Sequence, residues 1–72
     1  MNQQAIKQLY DEASRLFEQC KTIRAEFQGK EMPAEKTREV DTLLDQVEAK
    51  SGEAKRLERM DETEKMMNDP AT

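Results

Sequence analysis

The residues of this 72-residue chain that could carry out chemistry lack the partners that catalysis requires. Its candidate nucleophiles are Ser14, Cys20 and Ser51, but the chain contains no histidine that could act as their general base. One cysteine without histidine also excludes the usual zinc sites, which are built from nitrogen and sulfur ligands. Gly29 and Gly52 are the only glycines, too few for a glycine-rich phosphate loop.

Carboxylates are plentiful, since the chain has 16 Asp and Glu residues, but a catalytic acid pair needs a concave, partly dry site. A chain with so many charges does not predict such a site, so we expect no enzymatic activity, no cofactor and no metal. The densest charge feature combines three acidic and three basic residues: Asp61, Glu62, Glu64, Lys55, Arg56 and Arg59. It is either a solvated helix face or a docking surface for another subunit.

The composition predicts long, solvated helices. Only 35% of the residues are hydrophobic, 39% are charged, and the common residues are helix formers. The net charge of −4 disfavours nucleic acid as a partner, and no apolar run approaches the roughly 20 residues that span a bilayer. The lone Cys20 is expected to be a small core residue in a reducing, cytoplasmic environment, with an intermolecular disulfide in a parallel dimer as the alternative.

The first half of the chain carries an unbroken heptad pattern. Apolar residues recur at alternating spacings of three and four, which makes one narrow side of a helix adhesive and calls for a partner helix. The pattern predicts a helix over about residues 3–28. Its seam consists of Ile6, Leu9, Ala13, Leu16, Cys20, Ile23 and Phe27.

A turn is predicted at residues 29–33. Gly29 follows the last periodic residue, where helices commonly end through a left-handed residue. Pro33 lacks an amide hydrogen and suits the first turn of a new helix, and Glu35 follows where a carboxylate favours the positive helix end. So short a connection joins antiparallel helices.

The second helix is predicted over about residues 34–66, with a poorer seam. Near Lys50 and Gly52 the apolar pattern weakens, and beyond Leu57 the seam positions become acidic. If Phe27 lies near Val40, the first helix runs out near residue 62, so that the chain from Asp61 onward overhangs and residues 68–72 form a flexible tail or linker. The second seam consists of Val40, Leu43, Leu44, Val47, Ala54 and Leu57.

These patterns together predict an all-α fold: a two-helix antiparallel hairpin or coiled coil over residues 1–67 that associates with itself. One continuous helix in a dimer is the alternative, which Pro33 after Gly29 disfavours. Large apolar residues outside the two seams are candidate intermolecular contacts: Tyr10, Phe17, Met60, Met66 and Met67.

Most of the chain between residues 5 and 60 resembles the N-terminal scaffolding segment, the delta domain, of tailed-phage major capsid proteins of the Hong Kong 97 type. The matching stretches are Gln28-Gly29-Lys30-Glu31-Met32-Pro33-Ala34-Glu35-Lys36, Val40-Asp41-Thr42-Leu43-Leu44-Asp45 and Ala54-Lys55-Arg56-Leu57-Glu58-Arg59. Met32-Pro33 stands where the family often has a Thr or Ser cap, and Gly52 interrupts the second helix.

The resemblance implies a role in assembly. In that family the segment gathers capsid subunits into a procapsid in the host cytoplasm, lies inside the shell, and is removed by a maturation protease. The expected partners are therefore further copies of the chain, capsid subunits and that protease. The alternative is a stand-alone coiled-coil adaptor or regulator that binds another protein.

Overall fold

The computed structural model describes residues 3–68, which form two antiparallel helices. Helix α1 spans Gln3–Glu26 and helix α2 spans Ala34–Met67. The helices pack side by side into a rod of 60 × 16 × 16 Å. The predicted all-α hairpin is therefore confirmed. Of the predicted tail, Asn68 donates its amide to the Glu64 carbonyl at 2.9 Å, and residues 69–72 lie outside the described residues.

Helix α1 ends at Glu26, two residues before the expected bound, through a tightened last turn. The amides of Phe27 and Gln28 donate to carbonyls three residues earlier, at 3.2 and 3.4 Å. Gly29 then adopts a φ of +78°, a left-handed conformation that side chains disfavour. The chain reverses there, as the position of this glycine predicted.

Pro33 lies immediately before α2 rather than in its first turn. Its ψ of 153° is extended, and its carbonyl accepts hydrogen bonds from the Thr37 amide at 3.0 Å and the Thr37 hydroxyl at 3.2 Å. Its fixed φ and missing amide hydrogen suit this position. The Pro33 side chain offers no cap to the helix, and Glu35 is the acidic residue of the first turn.

The core between the helices is thin. Among residues 3–68 only Ala13, Cys20, Ile23 and Ala54 are buried, and all four lie on the predicted seams. Leu44, expected to thicken the second seam, is 36% exposed because it lies on the flank of α2. The other seam residues are half-buried: Ile6, Leu9, Leu16, Phe27, Val40, Leu43, Val47 and Leu57.

Candidate association surface

Two polar contacts between the helices fix their register. The Tyr10 hydroxyl donates to Glu58 Oε1 at 2.6 Å, and Lys50 Nζ lies 2.7 Å from Glu12 Oε1. Tyr10, a candidate intermolecular contact, is half-buried, and its hydroxyl is bound within the hairpin. The sequence pattern missed these pairings because the side chains meet only once the register of the two helices is known.

The same contacts shift three pKa values. The hydrogen bond to Glu58 raises the pKa of Tyr10, since the carboxylate accepts a hydrogen bond from the protonated phenol and repels a phenolate. The hydrogen bond and charge of Lys50 lower the pKa of Glu12, and Glu12 in turn raises the pKa of Lys50. Both ion-pair partners keep their charged forms more firmly than they do in water.

The open end of the hairpin forms a shallow groove between the two helices. From α1 it is lined by Gln3, Ile6, Lys7 and Tyr10, and from α2 by Glu58, Asp61, Glu62 and Lys65. Helix α1 therefore accompanies α2 as far as Lys65, and the expected overhang from Asp61 onward is wrong. The register places these α2 residues level with the start of α1, and Asp61 is half-buried.

Five large hydrophobic residues remain exposed among those described. Their exposed fractions are 45% for Phe17, 36% for Leu44, 57% for Met60, 75% for Met66 and 78% for Met67. Four of them were predicted as intermolecular contacts, and Leu44 was not. The Lys21 ammonium lies over the Phe17 ring, 5.9 Å from the ring centroid. Each residue has apolar surface that a partner could cover.

Heptad spacing shows which exposed residues share a side of the rod, because residues seven apart occupy the same helix face. Starting from the Tyr10–Glu58 contact, one side contains Tyr10, Phe17 and Arg24 of α1 and Glu58, Ser51 and Leu44 of α2. We call these six residues the Tyr10 side. Phe17 and Leu44 are its exposed apolar groups.

The opposite flank is marked by the Glu12–Lys50 ion pair. Lys50 stands at a seam position where an apolar residue is expected, and it reaches sideways to the carboxylate of α1. A charged pair whose side chains are 41% and 35% exposed adds little stability, because water screens it. The same spacing places Met60 and Met67 of α2 on this flank, seven and fourteen residues after Glu53, whereas α1 contributes no large exposed apolar residue to it.

Other chemistry is not supported within the described part of the chain. Across residues 3–68, no three acidic or cysteine side chains are arranged to hold a metal ion. Neither described helix is long and apolar enough to cross a membrane. Cys20 is a free thiol that is only 5% exposed, so it packs as a core residue.

Comparison with known proteins adds no assignment. No protein-family model, curated protein or solved structure matches this chain.

Proposed function

We propose that this chain is a scaffolding segment of a phage major capsid protein of the Hong Kong 97 type, which promotes subunit association and procapsid assembly. The proposal rests above all on the imbalance, among residues 3–68, between a core of four buried residues and five exposed large hydrophobic residues. A hairpin built in this way leaves large apolar side chains uncovered, and a neighbour can pack against them.

A thin, elongated hairpin suits reversible assembly. Association costs translational and rotational freedom, so a small exposed apolar area leaves only a small surplus of free energy. Weak contacts between many subunits allow misplaced subunits to leave a growing shell. The net charge of −4 also disfavours binding to the DNA that enters the shell, which fits later removal by a maturation protease.

The stretches that carry the resemblance lie at the positions that specify a hairpin. The stretch 28–36 forms the turn around Gly29, the stretch 40–45 lies near the start of α2, and the stretch 54–59 includes the fully buried Ala54. The turn, the start of the second helix and its one buried residue are the features on which a hairpin of this kind depends. Their order along the chain supports the proposal.

The test is made in the genome that encodes the chain. We expect the same or a neighbouring reading frame to encode a shell-forming capsid domain, and deletion of residues 3–68 to lower the yield of procapsids strongly. The matched control deletes an equal length elsewhere in the same protein outside its folded domain. A genome without a capsid gene beside the hairpin, or an unchanged procapsid yield after the deletion, contradicts the proposal.

A second candidate is a stand-alone adaptor that binds another protein through the last turns of α2. Met60, Met66 and Met67 are the most exposed of the large hydrophobic residues described, and flexible thioethers fit varied surfaces. A partner that is not a capsid protein, and that is lost when these three residues are replaced by serine, favours the adaptor. Loss of assembly with no such partner favours the scaffold.

A further inference from the structure

We infer that the Tyr10 side is the surface on which a second copy of this chain docks, forming a parallel four-helix dimer in which both turns lie at the same end. The inference deepens the proposed function and rests on it, since it names the face and the geometry of self-association. It stands on the position of the exposed apolar residues, on charge and on size.

The apolar residues of the Tyr10 side come from both helices. Phe17 of α1 is 45% exposed and Leu44 of α2 is 36% exposed, whereas Ser51 between them is small. In the hairpin register that pairs Tyr10 with Glu58, Phe17 is level with Ser51, and Arg24 is level with Leu44. The side therefore presents a bulky residue beside a small one, which lets a second copy interlock.

The charge pattern of the Tyr10 side is complementary to the same pattern on a second copy. On each helix, the next row of residues outward from the Tyr10 side is mostly charged. It contains Lys7 and Lys21 on α1 and Asp41, Glu48, Lys55 and Glu62 on α2. With Arg24, Glu58 and Lys65, which lies seven residues after Glu58, the α1 edge has three cations and no acid, and the α2 edge has four acids and two cations. Lys7 and Lys21 lie 3.0 and 3.2 Å from Asp11 and Glu18 of their own helix, but these exposed ion pairs add little stability, so both ammonium groups can turn to a second copy. A basic edge beside an acidic edge is complementary to the same two edges of a second copy that is turned by 180° about the long axis of the rod.

The charge pattern also selects one of the two ways to pair the rods. If the rods lie parallel, α1 faces α2 of the second copy, so that basic edges meet acidic edges. Residues at the same level then face each other, which brings Lys21 close to Glu48 and Lys7 close to Glu62 of the second copy. If the rods lie antiparallel, α1 faces α1, and the basic edges oppose each other.

The size of the side is sufficient for a specific contact. A side of 60 × 16 Å offers roughly 1,000 Å², and stable protein complexes bury about 800 Å² on each partner. Because Phe17 and Leu44 are the exposed large hydrophobic residues of this side, the surface favours a weak, reversible dimer over an obligate one.

Charge reversal tests the face in the intact chain. Lys21→Glu and Glu48→Lys should each raise the dimer dissociation constant about tenfold, because each contact occurs twice and attraction becomes repulsion. The double variant should return to within about threefold of the original value. Glu53→Lys, the same change on α2 away from the Tyr10 side, is the matched control and should leave the constant unchanged. Sedimentation equilibrium measures the constants, and circular dichroism checks that helix content is kept.

Spin labels at the turn test the orientation. In a Cys20→Ser background, labels on Lys30→Cys should lie within about 30 Å of each other in a parallel dimer, whereas an antiparallel dimer separates them by nearly the 60 Å length of the rod. A distance near the rod length overturns the parallel arrangement.

The outcomes separate this inference from the proposed function. A chain that dimerises with the same constant in all four variants contradicts the Tyr10 side and leaves self-association standing. A chain that stays monomeric at millimolar concentration contradicts both. Restoration by the double variant, with no effect of Glu53→Lys, supports the inference.

Discussion

The two helices contribute unequally to the hairpin. Helix α1, with 24 residues, supplies Ala13, Cys20 and Ile23 to the core, whereas the 34 residues of α2 supply only Ala54. The difference follows from the seams. That of α1 is apolar throughout, while α2 carries Lys50 and Asp61 at seam positions. At Lys50, where α2 lacks an apolar seam residue, the ion pair with Glu12 joins the helices, and the Tyr10–Glu58 hydrogen bond joins them beside the seam.

Helix α1 therefore supplies most of the buried core, and each of the two polar contacts takes one residue from each helix. Apolar contacts are not directional, and a regular heptad seam packs almost equally well one heptad up or down. The short turn between Glu26 and Ala34 limits the alignments open to one hairpin, and the charged pair and the hydrogen bond mark the alignment that forms. The exposed residues Phe17 and Leu44 lie outside the core and these contacts and remain for a partner.

The largest effect is expected from a charge at the one buried position of α2. Ala54 is 0% exposed, so Ala54→Asp places an unpaired carboxylate between the helices and costs more than about 3 kcal/mol. We expect the hairpin to lose most of its helical circular dichroism signal. Ala49→Asp, the same change at an exposed position of α2, is the control and should keep that signal. Equal signals for the two variants contradict the assigned packing.

Truncation of one residue in each helix measures their unequal contributions. Ile23 of α1 is 8% exposed, so Ile23→Ala should lower the free energy of unfolding by about 2–3 kcal/mol. Leu44 of α2 is 36% exposed, so Leu44→Ala should lower it by less than about 1 kcal/mol. Urea unfolding at low protein concentration, where any dimer dissociates, measures both. If Leu44→Ala lowers the free energy of unfolding more than Ile23→Ala does, the unequal contribution of the two helices is contradicted.

The two glycines should respond to alanine with opposite signs. Gly52 lies inside α2 and has open space where the added methyl group would lie, so Gly52→Ala should stabilise the hairpin by about 0.5–1 kcal/mol through helix propensity. Gly29 has a φ of +78°, so Gly29→Ala should destabilise it by about 1 kcal/mol. Thermal unfolding followed by circular dichroism gives both values. The same sign for both variants is incompatible with the described turn.

The Glu12–Lys50 pair predicts a loss of stability in acid. The pKa of Glu12 is lowered in the hairpin, so its contribution is fully present above the ordinary pKa of about 4.5 and is lost as the pH falls through the lowered value. Urea unfolding between about pH 6 and pH 2 measures the loss. Glu12→Gln should depend less on pH over this range, and an identical pH dependence for the two chains contradicts the pairing.

The smallest effect is a spectroscopic one at Tyr10, the only tyrosine of the chain. Absorbance titration should give a pKa above the ordinary value of 10.0, because the Glu58 carboxylate accepts a hydrogen bond from the protonated hydroxyl. Glu58→Gln should bring the pKa closer to 10.0. The stability that this bond adds is present below the ordinary pKa and is lost as the pH rises through the raised pKa. Equal pKa values of Tyr10 in the original chain and in Glu58→Gln contradict the Tyr10–Glu58 hydrogen bond.

Local rules predicted the elements of this fold well. Gly29 and Pro33 marked the turn because each has a backbone restriction that acts within one or two residues. The heptad spacing of α1 likewise placed Ala13, Cys20 and Ile23 on the seam. Such signals depend only on neighbours in the sequence.

The contacts between helices could not be predicted in the same way. The hydrogen bond from Tyr10 to Glu58 was not predicted, because it joins residues 48 positions apart and depends on the register. For the same reason the overhang was placed at Asp61, although α1 reaches the level of Lys65. Leu44 was predicted to lie in the seam because it is apolar. The residue type alone does not show which side of a helix faces the partner helix.

Self-association of the hairpin underlies both proposals, and sedimentation of the unmodified chain over a concentration series is its most decisive test. We predict that the weight-average mass rises with concentration from the 8.4 kDa of one chain toward twice that value. A mass that stays at 8.4 kDa up to millimolar concentration contradicts self-association.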